Sequence, residues 1–294
     1  ILMNLNNTPT TLMFTNVDQL GSDLQQIDYI NQNVVGQFLK EFKFVSYHCK
    51  SLCKFLLLSE GVLASALIDH LTAELEKPAE YQNKFQLRHL IDLAFRESNF
   101  PICEEVSVNL SFATGPTSCG FEIFSLGYSV NPPLDVILTP DVVRQYSECF
   151  VQLFNLVRRE TSLTRAWKEL AHFGSPLVGK LQALRSDLWQ FVHELRAVCC
   201  YDVVQVNWQK FEAHNADNLD ALVARHKEYL DSIHSTLVLH ATSFNNCYQV
   251  VDRFVSVLPL ILGGDRSANM ESLIEDIHDS FLRELAVLGD ELRD

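Results

Sequence analysis

Apolar side chains recur every three or four residues along most of the chain, which is the period of an amphipathic α-helix. The first such segment, 23–58, predicts one long helix interrupted near Gly61. Two shorter helices are predicted at 62–75 and 81–97, because prolines follow both and proline cannot continue a helix. After residue 139 the same pattern predicts helices at 140–172, 177–208, 219–239, 245–262 and 269–288.

The period changes in one part of the chain. Apolar and polar residues alternate over 106–112 and again over 124–130, on either side of a Gly-Pro turn, which predicts a β-hairpin. Thr139 is placed to cap the next helix, with Pro140 in its first turn. The predicted fold class is mainly α: an elongated helical bundle with a small β-hairpin insertion. It is expected to occupy 23–294, after an irregular segment at 1–22.

Charge argues against two classes of partner. The chain carries 37 acidic and 23 basic side chains, and its net charge of -14 opposes binding to nucleic acid or to an anionic membrane surface. No apolar run approaches the roughly 20 residues that span a bilayer, so no membrane insertion is expected. Eight scattered cysteines favour reduced thiols in a cytosolic compartment. Because the chain begins at Ile1 without a leader pattern, we expect a piece of a longer protein.

Candidate chemistry is sparse. His48, Cys49 and Cys53 could supply three metal ligands, but no fourth lies nearby, and a buried thiol pair is the simpler interpretation. The adjacent cysteines at 199–200 are expected in the core, and the glycine pair at 263–264 favours a helix-terminating turn. No Ser/His/Asp arrangement nominates a nucleophile and base. We therefore expect no metal, no cofactor and no catalysis, and a function in binding another protein.

One segment carries a family resemblance. Residues 125–139 read Ser-Leu-Gly-Tyr-Ser-Val-Asn-Pro-Pro-Leu-Asp-Val-Ile-Leu-Thr and lead into a helix with Tyr146, Phe150, a basic pair at 158–159 and Trp167. This closely resembles the gamma-tubulin complex components, in which a strand ending in Tyr-x-Val, a Pro-Leu and a Leu-Thr precede a helix with a Tyr-x-x-x-Phe pattern, a basic pair and a tryptophan. Further similarities in the same order extend the resemblance over 28–239.

Three positions depart from the usual family pattern, at Ser59, Val62 and Ser129, so the chain resembles a divergent member. The resemblance implies a C-terminal gamma-tubulin-binding (GRIP) domain, without the N-terminal domain that makes lateral contacts between components. The implied partners are gamma-tubulin and other components of the complex. The implied function is templating of microtubule nucleation, at an organising centre of the cytoplasmic cytoskeleton such as a centrosome or spindle pole.

The resemblance also nominates ten gamma-tubulin-binding residues, which lie at the end of the first helix, after the hairpin and on the long helix. They are Phe55, Gly61, Tyr128, Asn131, Pro133, Leu134, Tyr146, Phe150, Arg158 and Arg159. Two alternatives stay open within this set. Tyr146 and Phe150, like Trp167, have the spacing of core residues. Arg158 and Arg159 could be solvated or paired with acidic neighbours.

Two other functions are compatible with the residues. The first is a helical scaffold or tethering subunit of another cytosolic assembly, which would share the acidity and the helix content. The second is an enzyme whose site is assembled only by folding. Binding of gamma-tubulin by the folded domain would separate the family interpretation from both.

Overall fold

The computed structural model describes residues 44–101, 103–111, 119–132, 134–174, 176–213, 219–263 and 270–291, together with residues 21, 24 and 25. Within these residues the protein is a bundle of α-helices with a two-stranded antiparallel sheet, so the predicted fold class is confirmed. The boundary predicted between 1–22 and 23–294 lies outside the described residues and stays a prediction.

The elements follow one another with short connections. The first half contains a π-helix (Phe44–Cys49), α1 (Lys50–Phe55), α2 (Gly61–Leu75), a 3₁₀ turn (Ala79–Tyr81), α3 (Lys84–Glu97), β1 (Val106–Leu110), α4 (Gly120–Ile123) and β2 (Phe124–Tyr128). The second half contains a 3₁₀ turn (Leu134–Val136), α5 (Pro140–Ala171), α6 (Val178–Ala197), a π-helix (Val198–Gln205), α7 (Val206–Ala213), α8 (Leu219–Ser243), α9 (Asn245–Leu262) and α10 (Met270–Glu291).

Helix α5 is the centre of the bundle, since it contacts α2, α6, α8, α9 and β2. It begins as predicted, because Oγ1 of Thr139 accepts a hydrogen bond from the amide of Val142 at 3.4 Å and Pro140 stands in the first turn. Its apolar face lies in one continuous core with those of the neighbouring helices. The position of α5 therefore fixes where the sheet and the surrounding helices can pack.

Four predicted boundaries differ from those in the structure. The helix predicted at 81–97 begins at Lys84, because Pro78 leads into a 3₁₀ turn and Oδ1 of Asn83 accepts the amide of Phe85 at 2.9 Å. The helix predicted at 177–208 runs on through a π-helix to Ala213. The strands stop at Leu110 and Tyr128, two residues earlier than predicted.

The first predicted helix also ends early, at Phe55 rather than residue 58. Leu58 adopts a left-handed conformation with φ of 46°, which is unfavourable for a residue with a Cβ. The side chain of Leu58 is buried, and the amides of Leu57 and Ser59 bond back to the carbonyls of Leu52 and Cys53. Burial and these two hydrogen bonds offset the backbone cost and direct the chain into α2.

Among the described residues, no helix combines the length and the apolar character that a membrane span requires.

Candidate partner-binding surface

The hairpin has two unlike faces. Its strands pair in register from Val106 opposite Tyr128 to Leu110 opposite Phe124, and alternate side chains therefore point to opposite sides. The apolar side chains of both strands belong to the core or pack against it. The other face carries only small side chains, namely Ser107, Asn109, Ser111, Ser125, Gly127 and Ser129. One face of the sheet is thus built for packing and the other remains polar.

Helix α5 fastens the hairpin to the bundle. Oγ of Ser147 donates a hydrogen bond of 2.6 Å to the carbonyl of Leu126, on the edge of β2 that β1 does not use. On the opposite edge, the guanidinium of Arg88 in α3 donates to the carbonyls of Val106 and Cys103. These contacts satisfy backbone groups that a two-stranded sheet would otherwise leave unpaired.

A groove of about 690 Å³ lies between the polar face of the hairpin and the first half of α5. We call it the hairpin groove. The side chains of Asn109 and Ser107 cover its floor at Gly127, where an added Cβ would lie 2.4 Å from Nδ2 of Asn109 and 2.8 Å from Oγ of Ser107. Val143 and Val151 of α5 supply apolar surface along its wall. The groove therefore combines a polar floor with a partly apolar side.

Charges around the hairpin groove are mostly negative. Glu122, Asp135 and Glu148 line it, and Arg144 is the basic residue among the described lining residues. Arg144 is already engaged, since its guanidinium lies 3.1 Å from Oδ1 of Asp141 and 3.9 Å from Oε1 of Glu148. Both partners are exposed, so these ion pairs are weak and leave the groove acidic.

Tyr128 lies at the base of the hairpin and is buried, with 4% of its surface exposed. Its hydroxyl hydrogen-bonds Nδ1 of His48 at 2.9 Å. Burial raises the pKa of Tyr128 well above its usual range and lowers the pKa of His48. Nearby, the hydroxyl of Tyr47 donates to Oε2 of Glu105 at 3.3 Å, and burial is the largest cause that raises the pKa of Tyr47 to about 12. Tyr128 thus holds the hairpin base to the preceding π-helix.

The segment after the hairpin divides into exposed and buried residues. Asn131 is exposed, and its carbonyl accepts the amide of Leu134 at 3.2 Å. Leu134 is buried and anchors the 3₁₀ turn in the core. Pro133 lies outside the described residues. Val136, which the sequence did not nominate, exposes 66% of its surface beside Asp135 of the hairpin groove. Pro132 and Asp135 are exposed as well, so the accessible described side chains of this segment are those of Asn131, Pro132, Asp135 and Val136.

The structure places Tyr146 and Phe150 in the core, with no exposed surface. The hydroxyl of Tyr146 hydrogen-bonds Nε2 of His226 at 3.0 Å, and the ring of Phe150 stacks on that of Phe154 with centroids 5.1 Å apart. Neither side chain can touch a partner in this conformation. Trp167, expected on the same apolar stripe, instead exposes 53% of its surface, so its assignment to the core is wrong.

Arg158 and Arg159 join α5 to α9, as the pairing alternative predicted. Arg159 binds the carboxylate of Asp252 with two hydrogen bonds, of 3.1 Å from Nε and 2.8 Å from Nη2, and Nη2 of Arg158 lies 3.5 Å from the same carboxylate. The guanidinium of Arg159 also lies over the ring of Tyr248 at 4.4 Å, and that of Arg158 lies over the ring of Phe121 at 4.7 Å. These contacts account for both arginines within the fold.

Gly61 and Phe55 occupy different environments. Phe55 is buried, with its ring 4.8 Å from that of Phe95. Gly61 is exposed at the start of α2 and lines a cleft of about 270 Å³, which we call the α2 cleft. The cleft also contains Cys200 and Tyr201 of the second π-helix, and Tyr201 exposes 70% of its surface. Of this pair, only Gly61 can meet a partner directly.

Glu160 organises the side of the α2 cleft formed by α6. Its carboxylate accepts Nδ1 of His193 at 2.7 Å and also binds the guanidinium of Arg196, and both donors line the cleft. Burial raises the pKa of Glu160, but the hydrogen bonds from His193 and Arg196 outweigh it and hold the pKa below its usual value. The carboxylate of Glu160 thus offsets most of the positive charge of the basic side chains that line the cleft.

The residues that suggested metal chemistry are used in packing. Within the described parts of the chain, no three His, Cys, Asp or Glu side chains converge to hold a metal ion. Cys49 and Cys53 are buried, and burial raises the pKa of both thiols. Cys199 is also buried, whereas Cys200 is half-buried at the α2 cleft.

Of the ten nominated residues, Asn131 and Gly61 are therefore exposed, five are buried, two are engaged with Asp252, and Pro133 lies outside the described residues. The sequence did not nominate Arg144, which lines the groove, Tyr201, which lines the cleft, or Val136, which is exposed next to Asp135 of the groove. Charges at Asp141, Arg144 and Glu148 have the spacing of helix ion pairs and could have marked an exposed face. Val136 and Tyr201 look like core residues in the sequence, so no local signal identifies them.

Comparison with known proteins gives a consistent result. Residues 46–294 match the family model described as gamma tubulin complex component C-terminal. The chain is 28% identical over 265 residues to Spindle pole body component 98 of Dictyostelium discoideum, covering 80% of this chain and 32% of that protein. It is 28% identical over 278 residues to Gamma-tubulin complex component 3 of Arabidopsis thaliana, covering 86% of this chain and 32% of that protein. It spans about a third of the length of these relatives. Because the family model covers most of the chain, this protein belongs to the gamma-tubulin complex component family.

Proposed function

We propose that this chain is the gamma-tubulin-binding domain of a gamma-tubulin complex component, and that the complex templates microtubule nucleation. The match of residues 46–294 to the C-terminal family model carries this proposal, because it takes in the whole bundle, the hairpin groove and the α2 cleft. The names of the relatives support the same partner and a site of action at a microtubule-organising centre, such as a centrosome or spindle pole.

Within this proposal the chain binds and positions its partner without catalysing a reaction. Any guanine nucleotide in the complex would belong to the bound gamma-tubulin. Other components of the complex would make lateral contacts through the N-terminal domain that the family resemblance implies. Several such domains, held side by side, would each present one gamma-tubulin molecule.

The accessible residues favour contact through the hairpin groove and the α2 cleft. Asn131 and Val136 are exposed next to Val130 and Asp135 of the former, and Gly61 and Tyr201 line the latter. Exposed aromatic and aliphatic side chains beside polar ones are typical of the anchors of protein interfaces. The buried members of the nominated set would act indirectly, by holding these surfaces in place.

The test is binding of purified gamma-tubulin to the folded domain, measured by pull-down and by biolayer interferometry. We expect Val136→Asp to weaken binding by at least tenfold, because it places a charge where an apolar side chain would be desolvated. Tyr201→Ala tests the α2 cleft in the same way. Failure of the wild-type domain to bind gamma-tubulin, with its helical circular dichroism intact, would overturn the proposal.

A matched control distinguishes binding through a specific surface from nonspecific hydrophobic binding. Phe85 exposes 88% of its surface on α3 and lines neither the groove nor the cleft. Phe85→Asp should leave gamma-tubulin binding within about twofold of the wild type, since surface changes away from an interface have small effects. Equal losses from Phe85→Asp and Val136→Asp would refute the assignment of the groove.

A further inference from the structure

The hairpin groove has a shape suited to a chain segment of another protein. The polar faces of two five-residue strands form its floor, and its wall is the first half of a long helix. Small side chains on the floor leave room above the sheet, and the absence of a side chain at Gly127 lets those of Asn109 and Ser107 lie flat across it. The strands extend for about 17 Å, which is long enough to contact several side chains of a bound segment.

The charges of the hairpin groove select the kind of segment. Three carboxylates line it, those of Glu122, Asp135 and Glu148, and a fourth, that of Asp141, pairs with Arg144 of the groove. Arg144 offsets part of this charge, and Nε2 of His234 lies 2.6 Å from Oε2 of Glu148 and adds a positive charge when it is protonated. Negative charge remains in excess even with that histidine protonated. Cationic side chains are therefore attracted to the groove and anionic ones are repelled.

We propose that the hairpin groove binds a lysine- or arginine-bearing segment of a partner protein. The ammonium or guanidinium groups pair with the carboxylates of Asp135 and Glu148 at the rim. The aliphatic stems of the same side chains cover Val143 and Val151 on the wall, while serine and asparagine side chains of the floor bond the backbone of the segment. The inference rests on the proposed function only in treating the groove as a protein-binding surface.

The experiment uses a fluorescein-labelled heptapeptide of alternating lysine and valine, with a glutamate and valine peptide as its counterpart. Fluorescence anisotropy at low ionic strength measures the affinity of the whole chain for each. We expect the lysine peptide to bind and the glutamate peptide to bind at least tenfold more weakly. The triple variant Glu122→Gln, Asp135→Asn, Glu148→Gln should weaken binding of the lysine peptide by at least tenfold.

Two further variants distinguish binding of the lysine peptide in the hairpin groove from its attraction by the net charge of the whole chain. Glu76→Gln, Glu80→Gln, Asp202→Asn removes an equal number of exposed carboxylates elsewhere and should change the affinity less than twofold. Ser125→Tyr fills the groove without altering charge and should weaken binding at least fivefold. Circular dichroism confirms that each variant is folded. Equal losses from the two triple variants, full binding by Ser125→Tyr, or no binding by the wild type would each overturn the inference.

Measuring gamma-tubulin binding alongside peptide binding distinguishes failure of the groove inference from failure of the proposed function. A wild-type chain that captures gamma-tubulin but not the lysine peptide overturns the groove inference alone. A chain that binds the peptide in the groove but not gamma-tubulin overturns the proposed function alone.

Discussion

The core around Tyr146 and the hairpin differ in how completely they are enclosed. Rings from Phe44, Tyr146, Phe211 and Tyr229 surround His226, so four stretches of chain meet at one fully buried group. The hairpin is enclosed on one face only, and a few side-chain hydrogen bonds fasten its edges. The nominated residues fall in both regions, which teaches that family motifs mark the frame of a binding domain as well as its surface.

The largest expected effect on the free energy of unfolding comes from creating a cavity in the core around Tyr146. Phe150→Ala removes a fully buried ring that packs on Phe154 and Phe124, and should lower the free energy of unfolding by about 3–5 kcal/mol. Phe85→Ala removes an exposed ring and should cost less than about 0.5 kcal/mol. Urea denaturation followed by circular dichroism measures both. Similar values for the two variants would contradict the assignment of Phe150 to the core.

The second effect is a pH dependence centred on His226. Burial lowers the pKa of His226 to about 4, whereas an unfolded histidine has a pKa of about 6.5. The unfolded chain therefore binds the proton first, and the stability contributed by this neutral histidine is lost as the pH falls from about 6.5 to about 4. The full loss is about 3 kcal/mol, and denaturation at stepped pH values measures it.

Two variants sharpen this prediction. His226→Gln should flatten the stability profile between these pH values while lowering stability at neutral pH, because it disturbs the bond to Tyr146. His89→Gln changes an exposed histidine and should leave the slope unchanged. A slope that persists unaltered in His226→Gln would show that other groups cause the acid sensitivity.

The smallest expected effect on stability comes from a substitution that loosens the hairpin. Ser147→Ala removes the hydrogen bond to the carbonyl of Leu126 and should cost about 1 kcal/mol. We expect amide hydrogen exchange to accelerate in β1 and β2 and to stay unchanged in the middle of α5, because the sheet can loosen without opening the core. Thr164→Ala, which removes a hydroxyl bond to the preceding turn of α5, is the control. Equal acceleration across α5 would mean that the two regions unfold together.

The sequence predicted the structural features that depend on residues close together in the chain. Alternation identified the hairpin, and Thr139 followed by Pro140 identified the start of α5, since both signals act over a few residues. The sequence could not reveal that Asp252 binds Arg159, because 93 residues separate them. Trp167 has the spacing of a core residue, yet exposure depends on which element packs opposite, and this is a property of the tertiary structure.

The candidate site was less predictable than the fold for the same reason. Resemblance nominated segments of the chain, but only three-dimensional packing separates exposed Asn131 from buried Leu134 three residues later. The hairpin groove needs side chains from β1, β2, the 3₁₀ turn and α5, which are brought together by pairing and packing. No single stretch of sequence contains that surface.

Helix α5 gives the domain a mechanical property. It runs for 32 residues with no proline beyond its first turn, and at about 1.5 Å per residue it is a rod of about 48 Å. Arg144 at the groove and Arg159 at the contact with α9 lie about 22 Å apart on this rod. A displacement of the helix at the groove would therefore be carried to the Asp252 contact along a continuous rod rather than through the sheet.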